Sequence, residues 1–139
     1  MRRHRVDGGS ASLELVLMTP ALIALMLFVV LVGRLAQARA DVDRAARDAA
    51  RAASIARTSA AAHDGAAAAA RATLADGGVS CRPMTIDVDT GAFAPNGAVH
   101  AKVDCTVDLA DLSLLGVPGS RTITATFTQP VDAFRGVEG

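Results

Sequence analysis

The pattern of hydrophobic and polar positions changes twice along the chain. Apolar residues run without a charge from Leu15 to Gly33 and then recur at helical spacing through a segment in which Arg and Asp alternate. From Met84 onward, apolar residues occupy every second position, which is typical of strands with one buried and one solvated face. The pattern therefore predicts a long N-terminal helix followed by a small β-sheet.

The long helix is expected from about Ser12 to about Arg57. Its first part contains 19 consecutive uncharged residues. At ~1.5 Å per residue they span roughly 28 Å, close to the ~30 Å hydrocarbon core of a bilayer. Thr19-Pro20 lies inside this run, and a proline removes one helix hydrogen bond and usually kinks the helix. We therefore expect a membrane-spanning helix with a kink at Thr19-Pro20.

The outer half of the helix is amphipathic. Oppositely charged residues four positions apart, such as Arg44 and Asp48, are expected to pair on its solvent face. Small apolar residues repeat as a heptad seam on another face: Leu35, Ala38, Val42, Ala45, Ala49, Ala52 and Ala56. A seam of this kind packs either on the chain's own sheet or on a neighbouring helix, and the sequence does not choose between them.

An Ala-rich segment connects the helix to the strands. It predicts a break around His63-Asp64-Gly65 and then a short helix through Ala75, ended by Asp76-Gly77-Gly78.

Three alternating runs follow, with a turn predicted at Ala94-Pro95-Asn96-Gly97 between the first two and a strand end at Pro130. Their apolar positions are Met84, Ile86 and Val88, then Val99 to Leu109, then Ile123, Ala125 and Phe127. Because a three-stranded antiparallel sheet needs a cover for its apolar face, we predict an α+β fold in which the long helix packs on the sheet.

Charge and cysteine positions predict the compartment. Arg2, Arg3 and Arg5 precede the apolar run, so the N-terminus is expected in the cytoplasm and the part after Arg34 outside it. A disulfide persists there. Cys105 lies on the apolar side of its strand, and Cys81 opens the strand expected to pair with it. We predict a Cys81–Cys105 disulfide; two buried free thiols remain the alternative for a cytoplasmic protein.

The sequence offers little chemistry. The net charge is zero and Trp and Tyr are absent, which argues against nucleic-acid binding. The three His residues stand apart from ligand-spaced Cys or carboxylates, and no hydrolase, zincin or P-loop motif occurs. Aspartates on the strands are interpreted as a solvated face. We therefore expect no enzyme activity, no cofactor and no metal site.

Glu14 is the one residue for which the sequence suggests a chemical role, because its carboxylate directly precedes the apolar run. Such an acid needs a positive partner. The leader's arginines are candidates, and a cut between Gly9 and Ser10 would place a new α-amine one helical turn before Glu14. A short basic leader ending in Gly, followed by Glu as the fifth mature residue and an apolar run, resembles the prepilin-peptidase site of type IV pilin-like proteins. Leu15 departs from the aromatic residue common there in pilins of the tight-adherence group.

The resemblance is not limited to the cleavage site. Along nearly its whole length the chain resembles the TadE-like family of the tight-adherence (Flp) pilus machinery, in its actinobacterial form. The stretches that carry it, besides the cleavage site, are Ser12-Leu13-Glu14-Leu15-Val16-Leu17, Thr19-Pro20, the Ala/Arg helix, the two cysteines and Phe127-Thr128-Gln129-Pro130-Val131-Asp132. The resemblance implies a type IV pilin-like fold and a non-enzymatic minor pilin or pseudopilin, in pilus assembly or secretion. It implies a prepilin peptidase, other pilin-like subunits, an inner-membrane platform and membrane lipid as partners.

The sequence is therefore predicted to contain five segments: the leader 1–9, the transmembrane helix 10–33, its amphipathic continuation 34–57, an Ala-rich helix and linker 58–80, and a disulfide-linked β domain 81–139. A single-pass protein in the cell membrane is expected, with its C-terminal domain extracytoplasmic and associated with a pilus at the cell surface.

Two rival interpretations stay open. One is an uncut, membrane-anchored extracytoplasmic binding module. The other is a secreted protein released by signal peptidase near Ala38, where Ala36-Gln37-Ala38 and Ala38-Arg39-Ala40 supply A-x-A patterns. The apolar run exceeds the ~7–15 residues of a usual signal-peptide core, which favours an anchor.

Overall fold

The computed structural model describes residues 8–113 and 116–134, with side chains described from Glu14 onward. The fold is α+β, as predicted: a long N-terminal helix and a three-stranded antiparallel sheet. Most of the predicted leader 1–9 lies outside the described residues. The elements in chain order are α1 (Gly8–Ser54), α2 (Ser59–Asp76), β1 (Met84–Ala92), β2 (Ala98–Asp108), α3 (Leu109–Leu112) and β3 (Ser120–Pro130).

The sheet has the order β1-β2-β3, with both neighbouring pairs antiparallel. The predicted turn between β1 and β2 is confirmed, since the Gly97 N–H donates to the Ala94 carbonyl over 2.8 Å. Pro95 precedes Asn96, which has a φ of 65°, the combination that a type II turn requires. A Cβ at Gly97 would collide with the Ala92 carbonyl oxygen, so this turn needs glycine for space.

The core lies between the outer half of α1, the helix α2 and one face of the sheet. The prediction that the long helix covers the sheet is confirmed, and the seam packs within its own chain. The buried stripe is wider than the heptad because two partners contact it, and Ala46, Ala50 and Ala53 join it. The fully buried α1 residues are Ala38, Val42, Ala45, Ala46, Ala49, Ala50 and Ala53.

The predicted break around His63-Asp64-Gly65 is wrong, because α2 is continuous from Ser59 to Asp76. The helices separate earlier, where the Thr58 hydroxyl accepts a hydrogen bond from the Ala61 N–H over 3.1 Å and caps α2. Buried residues then recur every fourth position along α2 and pack against α1: Ala62, Ala66, Ala70 and Leu74. Tertiary packing outweighs the low helix propensity of Gly65, whose backbone lies near Ala52.

The charged side of α1 contacts more of the fold than the predicted i,i+4 pattern implied. Arg44 pairs with Asp41 at 3.5 Å, three residues away. Asp48 accepts a hydrogen bond from the Thr73 hydroxyl of α2 over 2.7 Å. The guanidinium of Arg47 lies 6.0 Å from the ring centroid of Phe127 on β3. The contacts of Asp48 and Arg47 therefore connect α1 to α2 and β3.

The two cysteines lie at disulfide-bonding distance, with their Cα atoms 5.0 Å apart. Cys105 is fully buried on β2, whereas Cys81 lies three residues before β1 instead of opening it. Backbone hydrogen bonds hold this approach segment beside β2: the Arg82 N–H donates to the Thr106 carbonyl, and the Thr106 N–H donates to the Pro83 carbonyl. The bridge therefore joins the sheet to the segment that leads out of α2.

Ala49 tests how closely α1 packs on its neighbours. Since Ala49 is completely buried, Ala49→Leu should lower the free energy of unfolding by ~1–3 kcal/mol through overpacking. Ala40→Leu, at an exposed position of the same helix, should change it by less than about 0.5 kcal/mol. Chemical denaturation of the full chain in detergent measures both. Equal effects of the two substitutions would contradict the packing described.

The cysteine pair yields a second prediction. Thiol labelling of the native protein should fail without reductant, and Cys81→Ala should destabilise the fold by ~2–4 kcal/mol because the cross-link no longer restricts the unfolded chain. Cys105→Ala should cost at least as much, since it also removes a buried side chain. Rapid labelling of both thiols in the native protein would show that the bond is absent.

Candidate functional site

The candidate site is the N-terminal half of α1, where the predicted cleavage and assembly residues lie. Gly9 and Ser10 fall in the first turn of the helix, which begins at Gly8. Glu14 follows four residues after Ser10 in the same helix and is exposed. The backbone therefore places residues 10 and 14 one helical turn apart, on the same side of α1.

The apolar run after Glu14 has no protein cover over most of its length. Leu15 is 72% exposed and Met26 is 70% exposed, and only Leu27 and Leu31 are half-buried in this part of the helix. The most apolar 18-residue window has a mean hydropathy of 2.9, and none of it is buried. A core helix of a soluble protein would be covered, so this segment fits a membrane anchor.

Charged residues bound this exposed segment on both sides. Glu14 and Arg34 are twenty positions apart in one continuous helix, which corresponds to ~30 Å, the thickness of a bilayer's hydrocarbon core. The helix is therefore long enough to hold both charges at opposite edges of the hydrocarbon.

Thr19 and Pro20 lie within the exposed segment. The helix continues through Pro20, and the Thr19 hydroxyl donates to the Leu15 carbonyl over 2.8 Å. Since Pro20 has no N–H to give to the Val16 carbonyl, the backbone loses one hydrogen bond here. The kink at this position stays a prediction.

The end of the folded part nearest the apolar segment contains a feature that the alternating pattern did not reveal. The helix α3 begins at Leu109, which the alternation assigned to the second strand. Leu112, Ser113 and Val117 approach α1 near Leu27 and Leu31. The signal was available in the sequence as Leu112 and Val117, apolar residues that continue no strand period.

A polar cavity of about 340 Å³ lies beside this contact. The side chains that line it include Arg34, Gln37, Asp41, Asp108 and Asp111, together with Leu112 and the backbone around Gly77-Gly78. A Cβ on Gly77 would contact the carboxyl of Asp41, so the end of α2 is packed tightly against α1. Three of these charged side chains are acidic and only Arg34 is basic, so the described lining of the cavity carries more negative than positive charge.

The outer face of the sheet is a polar ladder. The Thr124 hydroxyl donates to Asp104, and this hydrogen bond, together with Lys102 at 3.2 Å, lowers the pKa of the Asp104 carboxyl below its usual value. On the same strands, His100 hydrogen-bonds the Thr128 hydroxyl over 2.7 Å. Within residues 8–113 and 116–134, no group of three or more His, Cys, Asp or Glu side chains is placed to hold a metal ion.

The structure thus places the predicted site residues in two separate groups. Gly9, Ser10 and Glu14 lie on the first turns of α1, whereas Cys81 and Cys105 lie in the folded part beyond the apolar segment.

The first group lies in the part of the chain that resembles a known protein family. A family model described as TadE-like protein matches residues 9–51. Comparison with curated proteins and with solved structures gives no significant match. The matched segment lies within α1, Gly8–Ser54, and includes both its exposed apolar half and most of its buried half. The TadE-like resemblance of the sequence is confirmed for residues 9–51, and this TadE-like segment lies within helix α1.

Proposed function

We propose that the protein is a minor pilin or pseudopilin-like subunit of a tight-adherence pilus assembly or secretion system, cut by a prepilin peptidase between Gly9 and Ser10. The observation that carries the proposal is the coincidence of the TadE-like match with α1, the helix that holds the predicted cut, Glu14 and the apolar segment. The partners are the peptidase, other pilin-like subunits and the inner-membrane platform.

The proposed orientation has the N-terminus in the cytoplasm and the sheet outside. Arg2, Arg3 and Arg5 stand before the apolar segment and support this direction. This orientation places the sheet outside the cytoplasm, where a disulfide between Cys81 and Cys105 is stable.

Glu14 has a chemical role in this proposal. Its carboxylate lies at the edge of the hydrocarbon, where an unpaired charge is unfavourable. Cleavage after Gly9 leaves an α-amine on Ser10, four residues away on the same helix. This amine, or that of a neighbouring copy, neutralises the carboxylate, and pairing between copies also fixes the axial register of two helices.

Of the two rival interpretations, the secreted protein is less consistent with the continuous helix α1 than the uncut membrane anchor. Release near Ala38 would divide the continuous helix α1 and remove its exposed apolar half. The length of that apolar half exceeds a usual signal-peptide core, which disfavours a secreted protein. An uncut membrane-anchored binding module has the same fold and the same exposed helix, and the N-terminal residue of the membrane-purified protein separates it from the proposed subunit.

Cleavage is tested by coexpression with a prepilin peptidase. The mass should fall by that of the nine leader residues, and sequencing should find Ser10 first. Gly9→Val should abolish the change because the peptidase must approach the backbone closely. Gly8→Val, one position earlier, is the matched control and should still be cut. A full-length chain beside a peptidase active on another prepilin would contradict the proposal.

Glu14 is tested separately by crosslinking between subunits. The seam on α1 is buried in its own fold, so the reporting cysteines belong at exposed positions such as Ala36 and Ala40. Glu14→Gln should reduce crosslinks to other pilin-like subunits while insertion and folding persist. The crosslink yield of Glu14→Asp should lie between those of the wild type and Glu14→Gln, since the charge remains on a shorter side chain.

Asp43→Asn is the control for Glu14→Gln, because it removes an exposed carboxylate of the same helix outside the apolar segment. Its crosslink yield should match that of the wild type. Equal yields from wild type and Glu14→Gln, with cleavage verified in both, would restrict Glu14 to recognition by the peptidase or to no role.

A further inference from the structure

The connection between β2 and β3 presents an apolar surface to the membrane half of α1. Leu112, Ser113 and Val117 form one wall of a cavity of about 220 Å³. Its other wall consists of residues from the exposed apolar segment of the helix: Ala24, Leu27, Phe28, Val30 and Leu31. The folded part of the chain therefore extends alongside the segment that fits a membrane anchor.

The position of this contact along α1 gives its depth. Leu27 and Leu31 lie seven and three residues before Arg34. At ~1.5 Å per residue, they are ~10 Å and ~5 Å nearer the membrane centre than Arg34. Leu112 and Val117 face the same stretch, and so they lie below the level of the first charged residue that follows the span.

A sharp change in polarity marks the same level on the folded part. Leu112 lines both this cavity and the polar cavity that contains Arg34, Asp108 and Asp111. Charged and amide groups surround the polar cavity, whereas the cavity between Leu112 and the apolar segment is lined almost entirely by apolar side chains. A boundary of this kind is expected where a protein surface passes from water into lipid.

Several backbone N–H groups of the described part of this connection have partners within it. The Ser113 N–H donates to the Leu109 carbonyl over 2.9 Å, and the Gly116 N–H lies 3.5 Å from the Ser113 carbonyl. The Val117 N–H donates to the Ser113 hydroxyl over 3.0 Å. Pro118 has no N–H. Non-helical backbone at membrane depth requires internal partners for its polar groups, and the N–H groups of Ser113, Gly116 and Val117 have them.

We propose that Leu112, Ser113 and Val117 form a second membrane contact, seated in the extracytoplasmic leaflet, and that lipid acyl chains fill the cavity between them and α1. This inference rests on the proposed membrane anchor and its orientation. Lipid is the occupant because the cavity lies at the depth where acyl chains surround a spanning helix. The second contact restricts rotation and tilt of the sheet on the membrane, which one helix alone leaves free.

The test uses the full chain in phosphatidylcholine vesicles, with the native cysteines oxidised and one introduced thiol carrying an environment-sensitive fluorophore. Val117→Cys and Leu112→Cys report on the contact. Phe28→Cys, on the exposed apolar segment, and Thr126→Cys, exposed on β3, are the lipid and water controls. Spin-labelled lipid should quench positions 28, 112 and 117, with blue-shifted emission, and aqueous iodide should quench only position 126.

The controls separate failure of this inference from failure of the anchor. Iodide quenching at 112 and 117, with lipid quenching retained at 28, would overturn the second contact and leave the membrane span intact. Iodide quenching at 28 as well would overturn the anchor itself and the function proposed from it. Shielding of 112 and 117 from both quenchers would mean that protein covers the surface, which would overturn lipid as its occupant.

Discussion

The whole structure depends on the continuity of α1, a single helix of 47 residues that meets two different environments. Its first half exposes large apolar side chains, and its second half buries small ones. The change occurs without a break in the helix, so the orientation of the exposed segment and that of the core are mechanically linked. Any displacement of the apolar half is transmitted to the sheet, because α1 packs directly on β2 and β3.

The second half of α1 achieves its packing with alanine instead of large residues. Small side chains allow α2 and the sheet to approach the helix closely, but each contributes little buried apolar area. The largest fully buried side chains are only Val42, Val99, Val103 and Cys105. A core of this kind contributes little hydrophobic free energy to folding. The cross-link at Cys105 and the α1–α2 hydrogen bond at Asp48 therefore supply a larger share of the free energy of unfolding than they would in a protein with a core rich in Leu and Phe.

Periodicity predicted the parts of the fold that one face or one stripe defines. The strands, the turn at Ala94–Gly97 and the covering helix all follow from local patterns that point to the same answer. Elements that depend on a neighbour were predicted less well. Gly65 favours a break by its own propensity, yet α2 continues through it because Ala62 and Ala66 are buried against α1.

The same distinction applies to side chains on the surface of α1. Sequence spacing suggested a pair between Arg44 and Asp48, but Thr73 of α2 reaches Asp48 and Arg44 turns to Asp41. For the candidate site, Gly9, Ser10 and Glu14 were recognisable because a linear motif carries them, and such a motif needs no knowledge of tertiary contacts. For the contact between Leu112 and the apolar segment, the sequence marks one side with apolar residues outside the strand period. It does not identify the partner, which lies about eighty residues away along the chain.

The burial of the seam also limits where another subunit can bind. One face of the outer half of α1 is occupied by α2 and the sheet of its own chain, and its remaining face is charged and exposed. Under the proposed function, close helix-to-helix contact then belongs to the apolar half, whose side chains are exposed over most of its length. Glu14 lies at the beginning of that half. A charge there acts on the register of neighbouring helices without disturbing a core that starts at Ala38, which separates the chemistry of assembly from the stability of the fold.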